Sequence, residues 1–336
     1  MNDVITILQA GNTVVTDLGR TRGPRYGLPV NGAMDQFAAR AANILVANDD
    51  NAPLLEITAL DFRMRPEVDV LISVTGSPAN LFVGGREQQL WAPVTVRAGE
   101  SVEVRGIHVG LRCYLAIHGS VQAPQLMGSC APDTVIGFGL RLTPDTTLIA
   151  SRTVAPIRQP YFDLPLFRLD LDRPVASSSI TVDVTDGPDV DEFGDSVGLL
   201  FDSAYTVSER SNHIGLRLGG KLPERSSTDE ILSRGVPVGA IEVPNREELL
   251  VLHRGRGVTA GYPVLAVVTR LGLDLLAQAR PGDSVRFRKT RVAQATHDYQ
   301  TSRKQLESLR QSVNTIFNQL GVNTEPHWRK HPVLAI

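Results

Sequence analysis

The chain has 336 residues, 42% of them apolar and 21% charged, which is enough to bury a sizeable core in two ordinary domains. Its 34 basic and 36 acidic side chains leave a net charge of −2, excluding the electrostatic footprint of a nucleic-acid binder. Cys113 and Cys130 are too few for a disulfide framework or a cysteine-rich metal centre, so no metal is expected. No apolar run reaches the ~18 residues of a membrane helix. Met1-Asn2-Asp3-Val4 does not open a secretory leader, so the expectation is a cytoplasmic protein without a membrane partner.

In chain order, the first regular element is a helix. Asp35 stands at an N-cap position before Phe37-Ala38-Ala39-Arg40-Ala41-Ala42-Asn43-Ile44-Leu45, and Asp49-Asp50-Asn51 breaks the run. Strands follow at Val68–Val74 and at Leu81-Phe82-Val83, the latter leading through the turn Gly84-Gly85 to a partner near Gln88. Val94–Arg97, Ser101–Val104 and Leu111–Ile117 continue the series, with Arg112 and Tyr114 on one face of the last and Cys113 and Leu115 on the other. Strands about ten residues apart, joined by glycine turns, predict a mainly β sandwich or barrel. Cys113, alternating with apolar neighbours, reads as a buried small hydrophobe.

The stretch 156–179 carries four prolines and Ala176-Ser177-Ser178-Ser179, and reads as a linker between a first β lobe (1–155) and a second (180–289). The second lobe begins with the alternating strand Ile180–Val184 and ends on Pro281-Gly282-Asp283-Ser284-Val285-Arg286-Phe287-Arg288. A tail, 290–336, differs in kind: Leu306, Leu309, Val313, Ile316 and Leu320 recur at helical spacing, and Gly321 stops the helix. The seam either packs on the chain's own β structure or pairs with a second chain.

Ordered motifs run through the sequence. They begin with Asp17-Leu18-Gly19-Arg20 and Tyr26-Gly27-Leu28-Pro29-Val30-Asn31-Gly32-Ala33-Met34-Asp35, and continue with Leu55-Glu56-Ile57-Thr58, Gly110-Leu111-Arg112-Cys113-Tyr114 and Gly128-Ser129. In the second half come Gly187-Pro188, Tyr205-Thr206-Val207-Ser208, Gly215-Leu216-Arg217-Leu218, Ile241-Glu242-Val243-Pro244 and Gly261-Tyr262-Pro263. Together, over about residues 5–289, they resemble the family of KipA and the C subunit of 5-oxoprolinase. That family is also described as allophanate hydrolase subunit 2 and is related to the biotin-dependent carboxyltransferase region of urea amidolyase. The resemblance implies two cyclophilin-like β-barrel lobes with few helices and a C-terminal helix. It implies a hetero-oligomeric hydrolase subunit that acts on a small amide with a KipI-like B subunit, joined in some systems by a LamB/YcsF-type A subunit. The activity implied is ATP-dependent opening of 5-oxoproline to glutamate, or a urea- or allophanate-related reaction. ATP would be bound by the complex, and any biotin carried on another protein, because no Met-Lys attachment hairpin or phosphate-binding loop is present. The alternative it implies is a regulatory protein that antagonises a KipI-like kinase inhibitor.

Candidate catalytic residues are Arg20, Tyr26 and Glu56; candidate substrate-binding residues are Asp17, Arg112, Tyr114, Arg256, Thr259 and Tyr262. Arginine holds a carboxylate bidentately and tyrosine donates to an oxyanion. Asp17 with Arg20 reads equally as a turn-stabilising pair, and Asp35 as a helix cap. Glu56 interrupts an apolar strand, so it must pair with an arginine or face a cleft. His118 reads as a satisfied structural histidine. The second lobe departs from the family pattern. Asn212-His213 replaces an Asp-Arg pair, Glu242 replaces a glutamine, and Gly255-Arg256-Gly257-Val258-Thr259 lacks an acid, an amide and a hydroxyl. These departures imply a shifted substrate, or a subunit kept for assembly or regulation.

Overall fold

A computed structural model describes residues 3–150, 176–226, 231–245 and 247–321. Most of the expected linker, 156–175, lies outside the described residues. The architecture is mainly β and forms two compact units. The described residues of the first are 3–19, 35–150 and 303–321, and those of the second lie within 20–34 and 176–302. The second unit thus takes a segment, 20–34, that sequence order alone would leave with the first lobe.

The first unit holds two six-stranded sheets. One runs Thr147–Ala150, Asp3–Gln9, Phe62–Pro66, Val102–Arg105, Asn80–Val83 and Arg86–Gln88. The other is built on β1 (Thr13–Thr16), β2 (Leu54–Thr58), β3 (Val70–Gly76) and β4 (Arg112–Ile117), in the order β1-β2-β4-β3, with Leu140–Arg141 and Pro93–Val96 at its edges. Its core draws Ile5, Ile7, Phe62 and Val104 from the first sheet and Leu55, Ile57, Val74 and Leu115 from the second. Cys113 lies in this core, its thiol pushed up to about 12 by burial, which leaves it an inert packing group.

Helix α1 (Gln36–Leu45) covers the other face of the second sheet, and β3 shows how. Alternation sends Ile72 and Val74 into the core and turns Ser73 and Thr75 towards the helix. The Ser73 hydroxyl donates to the Ala42 carbonyl at 2.6 Å and that of Thr75 to the Ala38 carbonyl at 2.7 Å. The Asp35 carboxylate caps the helix by accepting from the Ala38 N–H at 2.9 Å, as its position before an alanine-rich run predicts.

The second unit is a closed seven-stranded barrel. Its strands are β5 (Ser179–Asp186), β6 (Tyr205–Val207), β7 (Gly215–Gly219), β9 (Ala240–Asn245), β10 (Glu248–Leu252), β12 (Val264–Val268) and β13 (Ser284–Lys289). They follow the order β5-β12-β9-β10-β7-β6-β13, and parallel pairing of β5 with β13, from Ser179↔Ser284 to Val184↔Lys289, closes the ring. Closure leaves no barrel edge unpaired. The interior takes Ile180, Val182 and Val184 by alternation, with Ile241, Val251 and Phe287 opposite. Outside the barrel, β8 (Arg234–Gly235) and β11 (Thr259–Ala260) form a two-stranded ribbon. The short helix α2 (Arg270–Leu276) packs on β5.

The tail forms a long helix, α3 (Val292–Gln319). Its buried seam is Leu306, Leu309, Val313 and Phe317, whereas Leu320 is exposed and Ile316 only partly covered. The stripe therefore continues from Val313 by a four-residue step, which keeps pace with 3.6 residues per turn. From Arg303 onward the helix belongs to the first unit, and charge fixes it there. Arg303 and Arg310 both bind Asp50, which also accepts from Arg40 at 2.6 Å, and Arg310 donates to the Asn48 carbonyl at 2.9 Å. Among the described residues, no helix is long and apolar enough to cross a membrane.

Burial would raise the Asp50 carboxyl, but its bonds to Arg310 and Arg40 outweigh that and hold it below its ordinary value. A group depressed in the folded state contributes stability above its unfolded pKa and loses it as pH falls through the folded one. Urea unfolding of Asp50→Asn is expected to show a loss of about 1–2 kcal/mol at pH 7. That difference from the unaltered protein should fade as the medium is acidified through the carboxylate range.

Candidate functional site

In the first unit, β4 brings Tyr114 directly opposite Glu56 on β2. The Tyr114 hydroxyl donates to Glu56 Oε2 at 2.8 Å and accepts from the Asp35 N–H at 2.8 Å, and Arg112 Nε lies 3.5 Å from Glu56 Oε1. All three side chains are buried. Burial first, then the charges of Glu56 and Asp35, push the Tyr114 phenol well above its ordinary value, so it stays a protonated donor. The cluster compensates the charge that Glu56 brings into an apolar strand and ties the start of α1 to the sheet. Its hydroxyl proton is held on a carboxylate.

Asp17 is also spent on structure. It accepts from the Ser129 hydroxyl at 2.6 Å, the Cys130 N–H at 2.8 Å and the Gly19 N–H at 2.8 Å, pinning the Gly128-Ser129 segment to the turn after β1. His118 donates from Nδ1 to the Val46 carbonyl at 2.6 Å, holding the end of α1.

The second unit gathers the other predicted residues. Its loop 20–34 folds back on itself: the Arg20 N–H donates to the Val30 carbonyl at 2.8 Å and the Gly23 N–H to the Arg20 carbonyl at 2.9 Å. Gly23–Tyr26 make one 3-10 turn, which Gly27 ends at φ 78°. At Gly23 an added Cβ would stand 2.9 Å from the Leu28 carbonyl oxygen and 3.0 Å from Arg20 Cγ, so only glycine fits beside the arginine stem. Arg20 is 1% exposed and Tyr26, at the tip, 72%.

The same loop is stitched to the segment after β10. The N–H of Asn31, a residue in the left-handed conformation at φ 53°, donates to the Arg254 carbonyl at 2.9 Å, and Arg254 Nε returns a bond to the Met34 carbonyl at 3.3 Å. Gly255 would clash with the His213 carbonyl at 2.8 Å if it carried a Cβ. Thus Arg20 and Tyr26 share a unit with Arg256, Thr259 and Tyr262, while Asp17, Glu56, Arg112 and Tyr114 belong to the first. Asn212 plays a plain structural role, because its Oδ1 accepts from the Ile214 N–H at 2.8 Å, the turn bond an aspartate would also make.

Arg256 is 6% exposed. Its Nε and Nη2 donate to the Val236 carbonyl at 3.0 and 2.7 Å, and its Nη1 has no hydrogen-bond partner among the described residues. Burial lowers its pKa, the mark of a guanidinium taken out of water. Thr259 and Tyr262 are exposed along and just after the ribbon. Glu242 is the polar residue that the candidate set omitted: it is 1% exposed, and its Oε1 has no partner among the described residues. Burial pushes its carboxyl up to about 7, with Arg234 drawing it back. Arg234 itself pairs with Asp189, which accepts from the Val264 N–H at 2.7 Å. The signal was available, since an acid between Ile241 and Val243 repeats the pattern that singled out Glu56.

Residues 26–289 match the family described as carboxyltransferase domain, subdomain A and B. The chain is similar to the C subunit of 5-oxoprolinase from Escherichia coli, 29% identical over 308 residues, an alignment that covers 91% of this chain and 97% of that one. With the corresponding 5-oxoprolinase chain of Haemophilus influenzae it is 26% identical over 326 residues, covering 94% and 99%. Among solved structures, that of K. lactis urea amidolyase matches 92% of this chain with a TM-score of 0.81 at 25% identity. There the chain spans only 20% of the larger enzyme.

The scaffold role of Tyr114 has a measurable consequence. Tyr114→Phe removes the donor to Glu56 and the acceptor for the Asp35 N–H, and is expected to cost about 1–3 kcal/mol in equilibrium unfolding. A substitution that leaves stability unchanged would contradict that role.

Proposed function

The chain belongs to the carboxyltransferase family of subdomains A and B, and on that premise we propose that it is one subunit of a multi-subunit enzyme that cleaves a small amide. The observation that carries this reading is the near end-to-end alignment with the C subunit of 5-oxoprolinase, against a match to only a fifth of urea amidolyase. The favoured reaction is the ATP-dependent opening of 5-oxoproline to glutamate. The partners would be the KipI-like and LamB/YcsF-type subunits, and the site would lie in the second unit, around the ribbon and Arg256.

An amide resists attack because its carbonyl is stabilised by resonance, so a catalyst must supply positive charge or donors at the oxygen. Arg256 Nη1 is a buried donor with no protein partner among the described residues, in an environment where a charge-assisted bond counts for more than in water. Tyr26, Thr259 and Tyr262 are exposed groups from which the amide's substituents would take orientation. Arg20, buried along Gly23, holds the loop that presents Tyr26.

ATP does not fit a helix-terminus cradle at α1 or α2. Asp35 caps α1 with its own carboxylate and Thr269 caps α2 with its hydroxyl, so each helix start already has a side chain over its first turn and one amide committed. We therefore assign nucleotide binding to the assembled complex.

Co-purification with the KipI-like and LamB/YcsF-type subunits, followed by ATP-turnover and glutamate assays, tests the reading. ATP hydrolysis stimulated by 5-oxoproline is expected. Arg256→Gln, which keeps a donor for the Val236 carbonyl, should lower kcat/KM about 10²–10³-fold while the complex still assembles. A complex that forms but turns over neither ATP nor 5-oxoproline would overturn it.

A further inference from the structure

Three guanidiniums converge on one carboxylate in the first unit. Arg40 of α1 and Arg303 of α3 donate to Asp50 Oδ2 at 2.6 and 3.2 Å, and Arg310, about two turns further along α3, takes Oδ1. The nearest acids in the sequence make other bonds: Asp49 accepts from the Asn51 N–H at 2.9 Å, and Glu307 from Gln311 at 3.5 Å. Among the described residues the three arginines form no ion pair with any acid but Asp50, so the cluster carries two positive charges in excess.

Holding the tail does not require that excess. The buried seam Leu306, Leu309, Val313 and Phe317 supplies an apolar grip, and one bidentate arginine neutralises a carboxylate. A second and a third guanidinium on the same carboxylate repel the first, a cost that an added anion offsets. Hydrogen-bonding capacity is left over as well. Arg40 and Arg303 each donate one bond to a described residue, and Arg310 adds one to the Asn48 carbonyl at 2.9 Å. A guanidinium offers more N–H donors than these bonds use. The three side chains are 19%, 40% and 24% exposed, so they are open to a ligand yet partly withdrawn from water, where a charge-assisted bond is stronger.

We propose that the arginine cluster around Asp50 is a binding site for a phosphate dianion, with Arg40, Arg303 and Arg310 turning their remaining N–H groups onto its oxygens. Charge selects the class: a dianion cancels both excess charges, whereas a single carboxylate cancels one. Guanidinium forks also match the oxygens of a phosphate in pairs, as a point charge on lysine would not. The phosphate is free or carried as a monoester, because either presents the same oxygens. Asp50 draws the forks together but competes with the ligand for them. The cluster belongs to the first unit and the residues of the amide-cleaving reading to the second, so the two stand or fall separately.

The test is calorimetric titration and thermal melting of the full-length chain with inorganic phosphate and with phenyl phosphate, at about pH 8 where both are dianions. Ionic strength is held fixed with chloride. Saturable binding that raises Tm is expected. Tighter binding of phenyl phosphate would mark the ligand as a monoester, and tighter binding of inorganic phosphate would mark it as the free ion; both support the site. Arg303→Gln, the most exposed of the three, should weaken binding about 10-fold with little change in the ligand-free Tm. Asp50→Asn should lower the ligand-free Tm and yet tighten binding, by about 3–10-fold, because it removes the competing carboxylate. A network that only holds the tail would not give that opposition of signs. Absence of saturable binding to either probe, or binding that Arg303→Gln leaves unchanged, overturns the proposal, and the Arg303 variant decides alone if Asp50→Asn does not fold.

Discussion

A carboxylate inside an apolar strand must be given a donor or surrender its charge, and two buried glutamates of this protein meet that constraint differently. Glu56 and Glu242 are set in nearly the same sequence context, each flanked by branched aliphatic residues. Glu56 meets Tyr114 across the ladder and Arg112 beside it, and the bond network extends to the start of α1. Glu242 meets aliphatic neighbours and an arginine already paired with Asp189, and its carboxyl is pushed up to about 7. The first arrangement compensates the charge of Glu56 with a hydroxyl donor and a nearby guanidinium. The second leaves Glu242 Oε1 buried without a hydrogen-bond partner among the described residues.

The two units reach order by different physical routes. In the first, β3 is buried on both faces, so hydroxyls rather than methyl groups meet the helix: Ser73 and Thr75 satisfy carbonyls of α1 that already lie within helical turns. In the second, closure through the parallel β5–β13 pair removes the barrel edges. The candidate polar residues of this unit lie at the ribbon, in the 253–257 segment and in the loop 20–34. That loop is held by backbone bonds and by the lack of a side chain at Gly23, and both devices fix a conformation without consuming polar side chains. Arg256 Nη1 and the Tyr26 ring stay outside the kind of scaffolding that absorbs Asp17 and Tyr114.

Much of the fold was legible in the sequence because period-two alternation and glycine turns are local signals. The hairpin at Gly84-Gly85, the strand ending at Ile117 and the helix capped by Asp35 all stand where those signals placed them. The tail helix was legible too, but its seam was drawn through Ile316 and Leu320, since three- and four-residue steps look alike until Phe317 is seen buried. The site was harder to read because pairing across strands and loops is non-local. Nothing near Asp17 in the chain announces Ser129 and Cys130 as its partners, and nothing near Tyr26 shows that its loop is bound to Arg254. Glu242 looked like a simple exchange of an amide for an acid, and only burial reveals what the exchange costs.

Arg256 Nη1 and Glu242 Oε1 are both buried in the second unit without a hydrogen-bond partner among the described residues, and burial raises the carboxyl of Glu242. Carboxyl-carbon NMR of the glutamate side chains, titrated in the folded protein, tests the central claim most directly. A glutamate titrating near 7 and missing from Glu242→Gln is the predicted result. A spectrum in which every glutamate titrates in the ordinary carboxylate range would mean that Glu242 has a donor or reaches water, and would contradict the account.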